Sequence, residues 1–424
     1  MKKVDITSAL NNKWTFPCLL IVSALAVYYP ILGNDFVYLW DDQINPFTAR
    51  GWNAQNLRAI FTEFYDGQYA PLNELLYLAL YSISGYDPFW YHLASLLLHI
   101  FNALLVYICV LRLLEVSRKI ETEYAKAIAF FTTLIFTIHP FNVESVAWAS
   151  ASKILIYSLF YILATLTFLS YLKHKKLIYY SLTLFIFFCS FLGKEQAVIF
   201  PLWILLIYWI AGYSLKSRKV WLVVTPFFLM SFVFGIITIA SQTGNFKLFE
   251  MSGYPFWQRI VYACYSFVEY LTKMVFPFKL SYLYPFPSVV GDPLPQWLLL
   301  YPALLTFLLI AFWKPIATQR IWTFFLLFFV MHIAVALHII SLSRFAVVAD
   351  RYVYIASIGV CYVLAYYGIS FIKKLRGYKR IGLIAIFSAY LLYFGIYANI
   401  RTRVWRDSDS LKKEIRELLK ERDD

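Results

Sequence analysis

Apolar runs close to 20 residues long alternate with short polar intervals along most of this chain. A helix of about 20 apolar residues crosses the hydrocarbon core of a bilayer. Backbone groups in lipid must be satisfied within the segment, which makes each such run a helix. The pattern predicts about eleven spans: 14–32, 89–114, 127–138 with the residues just before it, 154–172, 177–192, 197–211, 221–240, 296–313, 321–340, 352–372 and 381–400. The expected fold is an all-α polytopic membrane protein.

Two stretches break the pattern. The first loop, 33–88, has internal order. Leu57, Ile60, Phe61 and Phe64 repeat at helical spacing and mark an amphipathic helix. Pro71 opens a second apolar helix that ends before Gly85. It is too short to span and is expected to lie along the interface. The second stretch is 241–295. Phe256–Phe276 looks helical but carries Arg259, Glu269 and Lys273, and prolines 277, 285, 287, 293 and 295 follow it. It is expected to be interfacial or buried among helices rather than to cross. Residues 401–424 form a charged tail in which Leu411, Ile415, Leu418 and Leu419 give one weak amphipathic pattern. Residues 1–400 therefore read as one membrane domain, with no internal repeat and no separate soluble domain.

Composition agrees: the chain is 61% hydrophobic, against about half in ordinary soluble domains. Charge adds orientation. The net charge is +14, but the basic residues fall in clusters between spans rather than in a groove suited to nucleic acid. Lys2, Lys3 and Lys13, then Arg112, Arg118, Lys119 and Lys126, then Lys173, Lys175 and Lys176 are the first three such clusters. Positive clusters stay cytoplasmic, so loops 33–88 and 241–295 and the tail are expected on the extracytoplasmic side. Ala24-Leu25-Ala26 mimics a signal-peptidase site, but the run continues through Tyr29, as in an uncleaved anchor. The five cysteines, Cys18, Cys109, Cys189, Cys264 and Cys361, sit in apolar runs without metal-ligand spacing and read as small core residues.

Ionisable residues at a span centre cost roughly 2.5–3.5 kcal/mol each on insertion scales. The noteworthy ones here gather instead at the outer ends: Asp41, Asp42, His139, Glu144, Lys153, Lys194, Glu195, Arg344, Asp350 and Arg351. Local salt links, such as Asp350 with Arg351, are one reading. A mixed acid–base set at one membrane face is also what a reaction there needs. A lipid-linked-sugar transporter or flippase would place its charges near the midplane of repeated halves; the one-sided charge and the lack of a repeat favour an enzyme.

Several segments resemble a family. They are Phe36-Val37-x-x-Trp40-Asp41-Asp42; Tyr69-Ala70-Pro71-Leu72 leading to Pro88-Phe89-Trp90-Tyr91-His92; His139-Pro140-Phe141-Asn142-Val143-Glu144-Ser145-Val146-Ala147-Trp148; Lys194-Glu195-Gln196-Ala197-Val198; and Ala349-Asp350-Arg351-Tyr352-Val353-Tyr354. In this order they resemble the transmembrane and TPR-repeat-containing O-mannosyltransferases and their bacterial relatives, of the GT-C glycosyltransferase superfamily. Three features depart from that pattern. Ala70 stands where arginine is common. Lys153, beside Ser152 and Ile154, stands where the family carries a basic pair and an acid. No TPR repeats follow in this sequence.

The resemblance implies a GT-C-like fold in a prokaryotic cytoplasmic membrane and an inverting transfer on the extracytoplasmic face. A hexose, mannose foremost, would pass from a polyprenyl-phosphate-linked donor to an acceptor hydroxyl, a Ser/Thr of a protein or else a lipid or cell-wall glycan. Asp41 or Asp42 would take the acceptor proton. Lys153, Lys194, Arg344 and Arg351 would face the phosphate, with Glu195, Asp350 and Tyr352 in support. His139 and Glu144 either complete a Mg²⁺ or Mn²⁺ site with Asp41 and Asp42 or order the loop.

Overall fold

A computed structural model of the chain describes residues 13–38, 42, 46–65, 67–117, 122–243, 254–337, 339 and 346–423. Trp40, Asp41 and Arg344 lie outside these residues. Nearly all described structure is helical. Five helices are long and apolar enough to cross a membrane: Thr15–Gly33, Pro88–Ser117, Ala149–His174, Arg218–Ser241 and Gly377–Trp405. A sixth span results if Glu123–Ile138 and Pro140–Ala147, bent by 52° at their junction, count as one.

The bend has a local cause. Pro140 has no N–H to return to the Phe136 carbonyl, and a residue before proline is pushed out of the helical region. His139 is accordingly extended, at φ −69°, ψ 128°. The released Phe136 carbonyl accepts a hydrogen bond of 2.7 Å from the Asn142 side chain, so the break leaves that carbonyl satisfied.

Four further expected spans form short helices. Leu177–Phe191, Glu195–Ile210, Gln296–Ala311 and Arg320–Ala334 are apolar but fall below 18 residues. The run expected from 352 becomes helical only at Ser357, because Asp350–Val353 forms a 3-10 turn first. Pro88–Ser117 packs between Thr122–Ile138 and Ser152–His174, and Ser357–Lys374 lies against Thr122–Ile138 and Arg320–Ala334. Buried polar groups link these helices: His99 Nδ1 lies 2.7 Å from the Tyr354 hydroxyl, and Asn102 donates to the Leu155 carbonyl at 3.0 Å. Gly359 permits the closest approach, since a Cβ there would come within 2.5 Å of the Phe325 carbonyl oxygen.

Within the first loop, helices form close to the two stretches marked by its periodicity. Ala54–Thr62 is a helix whose N-cap, Asn53, accepts from the Asn56 N–H at 2.7 Å. Pro71–Ser84 runs 14 residues and stops at Gly85, whose φ of +63° suits glycine. Phe47, Ala59, Ile60 and Leu78 form a small core between the two. The Pro71–Ser84 helix also packs on Ser152–His174, and the Leu72 N–H bonds the Leu192 carbonyl at 3.0 Å. It is therefore built into the bundle end.

Phe256–Val275 is a helix packed on Leu300–Ala311, with Glu269 and Lys273 paired at 3.6 Å. A short antiparallel pair, β1 (Tyr284–Pro285) and β2 (Ala346–Val348), brings the proline-rich loop beside Asp350. The last long helix is stitched to the first: the Asn34 side chain donates to the carbonyls of Thr402 and Trp405, at 3.2 and 3.0 Å. The tail is a helix, Ser408–Asp423, tied back by an Arg401–Glu414 ion pair.

Candidate functional site

The charged segments at the ends of these runs meet around residues 139–157. Asp42 is buried and clamps the first loop to this region. Its two carboxylate oxygens accept from the N–H groups of Val37 and Ser150, each at 2.9 Å. The Pro71–Ser84 helix approaches the same turn: the Tyr77 hydroxyl donates to the Ala149 carbonyl at 2.8 Å, and the Ser152 hydroxyl donates to Asn73 at 2.7 Å.

Next along is Lys153, whose ammonium group donates to the Gln68 side chain. Its charge acts on Glu74, in the first turn of the Pro71–Ser84 helix. Burial pushes the Glu74 carboxyl up to about 7, against the pull of Lys153.

The other half of the site is cationic. Glu144 is almost wholly buried. It accepts from Arg351 Nη1 at 2.6 Å and from the Arg351 backbone N–H at 2.8 Å. The guanidinium lies 5.4 Å from the Trp148 ring centre and 4.9 Å from that of Tyr352. Lys194 reaches the same Tyr352 ring at 6.0 Å, with Glu195 3.5 Å from its ammonium. Two cations thus flank one tyrosine. Gly193 makes this possible, because a Cβ there would sit 2.8 Å from the Tyr157 backbone nitrogen.

The structure thus brings Asp42, Glu144, Lys153, Lys194, Glu195, Arg351 and Tyr352 to one end of the bundle. Asp350 differs from its expected role. Arg351 pairs with Glu144, not with Asp350. Asp350 points the other way, buried against Tyr284 and within the field of Arg401 and Lys273, and burial followed by the nearby Glu144 raises its carboxyl well above the usual range.

Of the four residues named for a divalent ion, Asp41 lies outside the described residues and the other three are engaged by protein groups. His139 is fully buried, with Nε2 bonded to the Met274 carbonyl at 2.9 Å and Nδ1 accepting from the Phe141 N–H at 3.1 Å. Both Glu144 oxygens face Arg351, and both Asp42 oxygens accept backbone N–H groups. Among the described residues, no three His, Cys, Asp or Glu side chains gather as a metal site. His139 and Glu144 order the bend and the turn beside it.

Sequence reasoning missed Glu74, Tyr77, Asn73 and Gln68. The only signal was Glu74 itself, the one charged residue of the Pro71–Ser84 helix. In comparisons with known proteins, neither a protein-family model nor a curated protein matches the chain.

Proposed function

We propose that this chain is an inverting membrane glycosyltransferase that moves a hexose from a polyprenyl-phosphate-linked donor to an acceptor hydroxyl. The observation that carries the reading is the pair of cations, Lys194 and Arg351, flanking Tyr352, at the bundle end where Asp42 ties the first loop to Ser150. Negative charge grows on the phosphate as the glycosidic bond breaks, so fixed cations there lower the barrier. Arg351 is suited to face that charge, because Glu144 holds its guanidinium in place while its side chain keeps 23% exposure. Charge-assisted bonds to phosphate are about twice as strong as neutral ones. Asp42 is held by two backbone N–H groups, and Asp41 is its neighbour in sequence.

In this reading the chain crosses the membrane about eleven times, in a prokaryotic cytoplasmic membrane with the site on the extracytoplasmic face. The short apolar helices would then cross with their flanking turns. Mannose is the leading sugar and a protein Ser/Thr hydroxyl the leading acceptor.

The test supplies purified protein with polyprenyl-phosphate-linked mannose and follows sugar release and transfer. Wild-type protein is expected to turn over. Lys194→Ala and Arg351→Ala should each lower kcat/KM at least about 100-fold, the scale for losing one charge-stabilising group, while Lys173→Ala, at the far end of its helix, should not. Wild-type protein inert toward every polyprenyl-phosphate hexose tried would refute the reading.

A further inference from the structure

We infer that Trp405 is a positioning residue for Arg351, acting through Trp148, so that the turn ahead of the C-terminal helix sets the cation that faces the phosphate; this rests on the glycosyl-transfer reading above. The contacts form an unbroken line. The Arg351 guanidinium lies 5.4 Å from the Trp148 ring centre. The Trp148 ring in turn stacks on that of Trp405, with centres 5.4 Å apart and planes 19° from parallel. Both indoles are almost wholly buried. Tyr282 meets Trp405 edge-on, at 6.1 Å and 84°.

Glu144 alone does not define the guanidinium. It fixes Nη1 and the backbone N–H of Arg351. The tilt of the planar group follows from the rings it lies against, Trp148 and Tyr352, because an arginine plane settles on aromatic faces. A shift of the Trp148 ring therefore carries over to the cation. Trp148 is the extended residue that ends the Val143–Ala147 helix, at φ −89°, ψ 119°, and its ring is oriented by what it packs on. Offset stacking at this separation is a favoured aromatic arrangement, so Trp405 gives the ring one preferred plane.

Trp405 is held firmly enough to serve as that backing. It closes the Arg403–Trp405 turn. The Asn34 side chain donates to the carbonyls of Thr402 and Trp405, and the Asp35 N–H bonds the Arg406 carbonyl at 2.7 Å. Arg401, just before the turn, pairs with Glu414 of the Ser408–Asp423 helix. The turn is thus gripped by the chain that follows the first span and by the tail helix.

The experiment is a double-mutant cycle. It measures kcat and donor KM, with polyprenyl-phosphate mannose and a Ser/Thr peptide, for wild type, Trp405→Leu, Trp405→Phe, Asn34→Ala and Arg351→Ala. Trp405→Leu and Asn34→Ala are also each combined with Arg351→Ala, and every variant is checked for its unfolding midpoint in detergent. Trp405→Leu should lower kcat/KM by about 10- to 100-fold, the scale for misplacing a reacting group, and Trp405→Phe, which keeps a ring, should recover most of the loss. Asn34→Ala, which loosens the turn but keeps both rings, should act in the same direction and supplies the cycle if Trp405→Leu does not fold. In the Arg351→Ala background neither substitution should change kcat/KM by more than about twofold, whereas independent effects would multiply. Wild-type kcat/KM in Trp405→Leu or, where that variant does not fold, in Asn34→Ala would overturn the assignment and leave the transferase reading standing. So would losses that multiply with that of Arg351→Ala, or a Trp405→Phe no better than Trp405→Leu. No transfer by the wild-type protein would overturn both.

Discussion

The Glu144–Arg351 pair shows how a charge becomes tolerable at the end of a helix bundle. A buried carboxylate is costly unless it is both paired and hydrogen-bonded. Glu144 meets both needs through one residue, taking Nη1 and the backbone N–H of Arg351. Removing one partner of such a pair costs about 3–5 kcal/mol, because the other charge stays buried. Glu144→Ala is therefore expected to lower the unfolding midpoint sharply, and the double variant with Arg351→Met should recover part of the loss. A second prediction concerns pH. The Glu74 carboxyl is raised from 4.5 to about 7 in the folded chain, so the folded state binds the proton more tightly than the unfolded state does. Its contribution to stability is fully present below 4.5 and is lost as pH rises to about 7. Thermal unfolding in detergent across that window should fall less steeply in Glu74→Gln than in wild type. At this scale the sequence was readable where a charge ended an apolar run, as at Asp42, Lys153, Lys194 and Arg351. It was silent where neutral groups such as Asn73, Tyr77 and Ser152 hold the site together, because their partners are set only by packing. Asp350 beside Arg351 invited a local salt link, but a 3-10 turn sends the two side chains to different neighbours.

Among elements, boundaries marked by proline and glycine were the most legible. The helix expected from Pro71 to just before Gly85 forms over Pro71–Ser84, and the amphipathic repeat from Leu57 falls on and just beyond Ala54–Thr62. The bend at His139 was not read, although Pro140 encodes it, because the drop in hydropathy after Ile138 marks the end of a span and not the short helix beyond it. Span ends were less legible: the run expected over 321–340 is helical only as Arg320–Ala334 and that from 352 only from Ser357, whereas 89–114 extends over Pro88–Ser117, since composition does not distinguish an apolar helix from an apolar turn that caps it. Close contacts between elements yield a further prediction. A Cβ on Gly193 would meet the Tyr157 backbone at 2.8 Å. Gly193→Ala should displace Lys194, raise the donor KM and leave most of the fold intact, as read by kinetics beside an unfolding scan. Gly359→Ala acts elsewhere: with Phe325 O at 2.5 Å, it should cost stability on the order of 1–3 kcal/mol by overpacking two helices.

For the whole molecule, the transfer proposed above would require that loops near the candidate site share one side of the membrane and that the basic turns share the other. The helix Ser152–His174 has 23 residues, a length of about 35 Å at 1.5 Å per residue, which separates Lys153 from Lys175 by a bilayer's thickness. In a cysteine-free background, Glu63→Cys and Lys279→Cys should react with an impermeant thiol reagent from outside intact cells, and Lys175→Cys and Lys379→Cys only after permeabilisation. Labelling of Lys175→Cys together with Glu63→Cys would break the topology. The convergence of distant motifs was legible at this scale because they share charge and position at run ends. The stitch between Asn34 and the Thr402–Trp405 turn was not, since it joins residues 368 and 371 positions apart through backbone carbonyls. That stitch sets a timetable for biogenesis. The anchor near the N-terminus leaves the ribosome long before its partner exists, so the Asn34 amide has to wait, hydrated or chaperoned, through the insertion of nearly every other helix. Maturation of this end of the bundle is then a late, all-at-once event, completed when the final hairpin slots home.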